Sequence, residues 1–208
     1  MNRILLACGV IAGPLYIIVG LAQAFTREGF DLRRHALSML SIGPQGWVQI
    51  ANFVLTGALT TAAAAGMWRV LHPSGVTWAP LLLGLYGIGL VAAGIFVPDA
   101  ALGFPPGTPA GPPAHMTTHG TMHFVAGGVG FLGLIAACLL FARQFARDGQ
   151  TGWAIYSAAT GVLFLAGFMG IASGAAKPSI NLSFGAAVVL VCVWISALSA
   201  RLMAGLPR

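Results

Sequence analysis

Acidic residues are almost missing from this chain. Glu28, Asp31, Asp99 and Asp148 are the only four in 208 residues, and Lys177 is the only lysine. Charged residues of both signs make up 7% of the sequence, against about 25% in soluble domains. A surface facing water cannot be built from so few charges, whereas a surface facing lipid needs none. Cysteine is scarce too. Cys8, Cys138 and Cys192 lie far apart, each inside an apolar run, and read as small core-packing residues. The net charge of +6 comes from bases scattered near the ends of apolar runs, where they anchor helices to headgroups. That placement points to membrane lipid as the partner and away from nucleic acid.

What remains is apolar: 58% of the residues are hydrophobic. A hydrocarbon core needs roughly 20 apolar residues per helix. Six stretches meet that length, at 4–24, 48–70, 78–97, 118–145, 153–173 and 180–203. The chain therefore reads as all-α, a polytopic membrane bundle of about six transmembrane helices in one membrane domain over 1–208. The first stretch is long enough to span and has no A-x-A cleavage site, so it reads as a span and not a signal peptide. Trp47, Trp68, Trp78 and Trp153 fall near the proposed ends, as interfacial tryptophans do. The 29 glycines let helices approach closely in lipid, and Asn52 is placed to hydrogen-bond between helices.

Basic residues set the expected orientation. With a cytoplasmic N-terminus, Arg3, Arg69, Arg143, Arg147, Arg201 and Arg208 lie inside, and Arg27, Arg33, Arg34 and Lys177 outside. The bias predicts both termini in the cytoplasm and, for a chain of this kind, a bacterial plasma membrane. Three of the outer bases crowd into the first connection, 26–46. Bases kept against the topological rule are candidates for binding an anion.

The odd-numbered connections share one face of the membrane, and the polar residues gather there. The third connection, 98–116, carries the run Phe104-Pro105-Pro106-Gly107-Thr108-Pro109-Ala110-Gly111-Pro112-Pro113, which excludes helix and predicts an extended loop. The fourth span opens with His115, His119 and His123, four residues apart and so on one helix face. The H-x-x-x-H pair His119 and His123 has a spacing that lets two imidazoles share one metal ion. Asp99 ends the third span, and ionisable groups at membrane depth are functional candidates. In the first connection His35, Ser38 and Ser41 are three residues apart, facing one way if that stretch is helical. Two histidines with a third histidine or a carboxylate are the ligand set of a catalytic zinc.

The segment Arg33-Arg34-His35-Ala36-Leu37-Ser38-Met39-Leu40-Ser41-Ile42-Gly43, followed by Trp47 and Asn52, resembles the first signature of a bacterial membrane family, domain of unknown function 998. Pro98-Asp99 followed by His119-Gly120-x-x-His123 resembles its second. The resemblance implies a six-helix bundle and no established activity. A more distant likeness is to the alkaline ceramidases and the adiponectin receptors, a membrane fold with a zinc site. Here His35 with Ser38, Asp99, and His119 with His123 are similar in type. The order of His and Ser, the H-x-x-x-H pair on the fourth span and the count of six spans depart from that pattern.

Two functional readings follow. In the first, the chain is a lipid-binding or accessory membrane protein whose polar cluster is a hydrogen-bond network at the outer boundary. The alternative is an intramembrane zinc hydrolase acting on a lipid-like substrate. His35, His119 and His123 would hold the metal, with Asp99 as a fourth ligand, an orienting group or a general base. Ser38 would stabilise an oxyanion, and Arg33 or Arg34 would bind an anionic headgroup. A haem clamp is disfavoured, since His119 and His123 share a helix face and cannot flank one iron. A transporter is disfavoured by the lack of paired broken helices and mid-span charges.

Overall fold

The computed structural model describes residues 1–113, 115–174 and 177–207. Six helices carry the chain: α1 Asn2–Thr26, α2 Gly46–Leu71, α3 Trp78–Ile95, α4 Thr118–Arg147, α5 Thr151–Ala172 and α6 Pro178–Ala204. Each is long and apolar enough to cross a membrane, and each begins and ends within a few residues of its expected place. The physical reason is plain. In hydrocarbon a helix satisfies its own backbone polar groups, so a long apolar run has one stable form. Arg208, one of the six bases expected inside, lies outside the described residues.

The helices form a ring in sequence order. Each packs on its neighbours in the chain, and α6 closes the ring on α1. The termini meet on one side, where the Arg3 guanidinium donates to the Leu206 carbonyl at 2.9 Å and to that of Pro207 at 3.2 Å. Small residues allow the close approaches. A Cβ on Gly57 would lie 2.5 Å from the Gly87 carbonyl of α3, and one on Gly13 would collide with the Cys192 carbonyl of α6. Between α1 and α2 runs a buried amide ladder. Gln23 donates to Gln49 at 2.8 Å, and Asn52 donates to Gln49 Oε1 and to the Tyr16 carbonyl, both at 3.2 Å. Asn52 thus ties two helices together, as expected of a polar residue in lipid.

The two ends of the ring differ. Toward the termini and the even-numbered connections the interior is filled by Leu6, Met67, Leu83, Leu134, Phe141, Trp194 and Leu198, all but closed to solvent. Trp194 donates its indole N–H to Ser157 at 3.0 Å and stands edge-on to Phe141. Toward the odd-numbered connections the ring is hollow.

Two connections differ from expectation. The third is irregular but not extended. It folds back on itself, with the Leu102 amide donating to the Gly111 carbonyl and the Gly103 amide to that of Pro109. Leu102 and Gly103 turn the chain with positive φ, and Phe104 plugs fully inward. In the first connection only Leu37–Ser41 is helical, a short 3₁₀ turn. His35 precedes it, and only Ser38 and Ser41 lie within the turn. Ser38 borders the hollow, while Ser41 is buried and donates to the Ser38 carbonyl at 2.7 Å.

Candidate functional site

The first and third connections lock together over the hollow end, and Arg27 and His35 hold the lock. Arg27 follows directly after α1. Its guanidinium donates to the carbonyls of Leu40 and Ile42, both at 2.7 Å, and lies over the Phe104 ring at 5.1 Å. Those carbonyls end the 3₁₀ turn, where helix-end oxygens lack partners and attract a cation. Partial burial lowers the Arg27 pKa from its ordinary value, yet an arginine stays charged. One of the bases kept against the topological rule therefore serves the fold.

His35 is 3% exposed and packs against Phe30 and Phe104. The Asp31 amide donates to its Nδ1 at 2.9 Å. That acceptor role puts the ring proton on Nε2, which donates to the Leu102 carbonyl at 3.0 Å. Both nitrogens are spent on backbone, and no lone pair is left for a metal.

Asp99 serves the start of α4. Its two carboxylate oxygens accept from the Thr117 hydroxyl at 2.7 Å and the Thr117 amide at 2.9 Å. Thr117 in turn accepts from the Gly120 amide at 3.0 Å, the usual N-cap bond. The carboxylate sits at the positive end of the helix, pressed so close to Gly120 that a Cβ there would strike it. His115 and His119 are exposed; His119 touches only the edge of Phe96 among aromatic rings, at 5.6 Å.

His123 turns the other way, into the bundle, and is 6% exposed. Its Nδ1 lies 2.7 Å from the Phe96 carbonyl and 3.1 Å from that of Ala93. α3 explains why. At 18 residues it spans about 27 Å, a little less than a hydrocarbon core. Its last carbonyls are orphaned at depth, and the His123 N–H supplies the missing donor. So Nδ1 carries the proton, and Nε2 keeps a lone pair. The expected metal triad is therefore not assembled: His35 spends both nitrogens on backbone, His119 is exposed and His123 is buried against α3. Among the described residues no three His, Cys, Asp or Glu side chains are placed to hold one ion. Arg33 and Arg34 are exposed on the first connection and do not line the hollow.

The hollow is a cavity of about 320 Å³ reached by all six helices and by the 3₁₀ turn. Its floor is aromatic. Phe131 meets Tyr86, Phe164, Phe168 and Phe184 with ring centres 5.0–6.4 Å apart. Tyr16, His35, Ser38, Tyr86, His123 and Asn181 are the polar residues of its lining, which holds no Asp, Glu, Lys or Arg. Neither His123 Nε2 nor the Tyr86 hydroxyl has a hydrogen-bond partner among the described residues. On one side the wall is thin. Phe124 of α4 and Leu182 of α6 line the cavity yet are 57% and 48% exposed. Gly127 and Gly185 beside them have nothing within 4 Å of where a Cβ would stand.

The family model described as Protein of unknown function (DUF998) matches residues 10–201. The chain belongs to this DUF998 family. No curated protein and no solved structure matches it. The DUF998 match reaches into all six helices and contains every residue of the collar formed by the locked first and third connections, of the α4 cap and of the cavity. In this DUF998 chain two important residues were not singled out by sequence reasoning. Arg27 looked like one more interfacial base. Tyr86 is the lone hydroxyl in the middle of an otherwise apolar third span, and that isolation was the signal that could have found it.

Proposed function

We propose that this chain is a non-catalytic, lipid-binding protein of the bacterial plasma membrane, with its collar of connections on the outer side and its termini in the cytoplasm. The cavity carries this reading. Its volume of about 320 Å³ falls within the range of small-molecule sites, about 300–1,000 Å³. Its lining is apolar, with a few polar atoms that can orient a ligand. Phe124 and Leu182 both line it and are exposed on helix surfaces at hydrocarbon depth, so a lipid chain can enter sideways past them. The residues that looked catalytic from the sequence are occupied otherwise: His35 and Asp99 hold loops and a helix end.

The test is photolabelling. A fatty alcohol with a diazirine in its tail is added to protein reconstituted in phosphatidylcholine vesicles and activated by light. Labelling is expected to concentrate on the peptides around Phe124 and Leu182, and to fall several-fold in Gly127→Leu, whose side chain fills the wall opening. Label spread evenly over lipid-facing residues such as Ile11 and Ile88, unchanged by Gly127→Leu, would sink the reading.

A further inference from the structure

The polar atoms of the cavity restrict what its occupant can be. No Asp, Glu, Lys or Arg side chain lines the space. A charged group moved into an apolar, membrane-embedded space loses its hydration and finds no counter-charge. The part of an occupant that lies inside is therefore uncharged. His123 narrows the choice further. It is more than nine-tenths buried, it lines the cavity, and its one ring proton is committed to the Ala93 and Phe96 carbonyls. Nε2 can then only accept a hydrogen bond. A carboxylate or phosphate would meet that lone pair with lone pairs of its own. An ester or ketone carbonyl would do the same. The group that fits at Nε2 is a neutral donor, for which a lipid hydroxyl is the simplest choice, while Ser38 and Asn181, which also line the space, can serve other polar atoms of the occupant. From His123 to Phe131 the α4 wall runs about 12 Å, ending on the aromatic floor, with Gly127 between them.

Resting on the lipid-binding reading above, we infer that the occupant is an uncharged lipid bearing a hydroxyl, and that this hydroxyl donates to His123 Nε2. The chain of the lipid lies over the aromatic floor and leaves past the open space at Gly127. His123 thus has two jobs on two nitrogens: one closes the end of α3, and the other reads the polar end of the ligand.

Two probes that differ only in the donor test this. One is the diazirine-tailed fatty alcohol, the other its methyl ether, each added to the full-length protein in phosphatidylcholine vesicles. The alcohol is expected to label the cavity peptides about three- to ten-fold more than the ether, the ratio that one net hydrogen bond supplies. In His123→Asn the side-chain N–H still reaches the α3 carbonyls while the acceptor at the position of Nε2 is gone, and the alcohol is expected to drop to the level of the ether. Equal labelling by alcohol and ether in the natural sequence overturns the inference, and that comparison needs no variant to fold. A preference that persists in folded His123→Asn overturns it as well. If the probes label equally but Gly127→Leu still blocks both, only the hydroxyl inference falls. If Gly127→Leu blocks neither, the lipid-binding reading falls with it.

Discussion

The two ends of this ring of helices use the same kinds of residue for opposite ends. In the packed end, small residues bring backbones together: Gly57 and Gly87 bury each other, and Gly13 lies against the Cys192 carbonyl. In the hollow end, Gly127 and Gly185 keep side chains out of a space that nothing else fills. Aromatic residues divide likewise. Trp194 and Phe141 fill a core, whereas Phe131 and its neighbours floor a cavity. The lesson is that abundant glycine in a membrane chain has two meanings. The environment of each Cβ position separates them, and composition does not.

That contrast can be broken by mutation. The largest effect is expected from Trp194→Ala in the packed end. It opens a void and strands the Ser157 hydroxyl, and it is expected to cost about 3–5 kcal/mol. Reversible unfolding in detergent micelles measures it, and a loss under about 1 kcal/mol would show that the packed end is not the stabilising one. The collar comes next. Arg27→Leu leaves the Leu40 and Ile42 carbonyls without their donor and is expected to cost about 1–2 kcal/mol. It should also speed proteolysis within 98–113, because Phe104 loses the cation above it. Unchanged cleavage of that loop would remove Arg27 from the collar. The smallest effect is expected from Gly127→Leu. Leucine favours a helix over glycine by several tenths of a kcal/mol and meets open space, so stability stays level or rises by up to about 1 kcal/mol. Gly57→Leu, made alongside, should disrupt the α2–α3 contact. Similar losses in both variants would erase the distinction between the two ends.

The sequence revealed the helices far better than the site. Bilayer thickness and backbone hydrogen bonding leave a long apolar run little freedom, so the spans could be read nearly to the residue. The site residues were visible as types but not as partners. The spacing of His119 and His123 states that they lie near one helix face, and it cannot state that the face turns from rim to interior between them. The three-residue spacing around His35 speaks only of its near neighbours, so its path to Leu102, 67 residues away, left no trace in local pattern. Asp99 looked like a membrane-depth carboxylate in search of a metal. It is the cap of the next helix, and Thr117, the residue that reveals this, drew no notice because hydroxyls near a helix start are common. The cavity had no sequence signal, because a void is made by what surrounding helices leave unfilled.

The sequence-ordered ring also bears on biosynthesis. Each helix that leaves the insertion machinery finds its packing partner already in the membrane, immediately before it in the chain. The exception is α1, whose face against Cys192 and Ser199 waits for the last helix made. Because α6 supplies part of the cavity lining, the cavity is not complete in any nascent intermediate. It comes into being in a single closing event after the ribosome has finished the sixth helix.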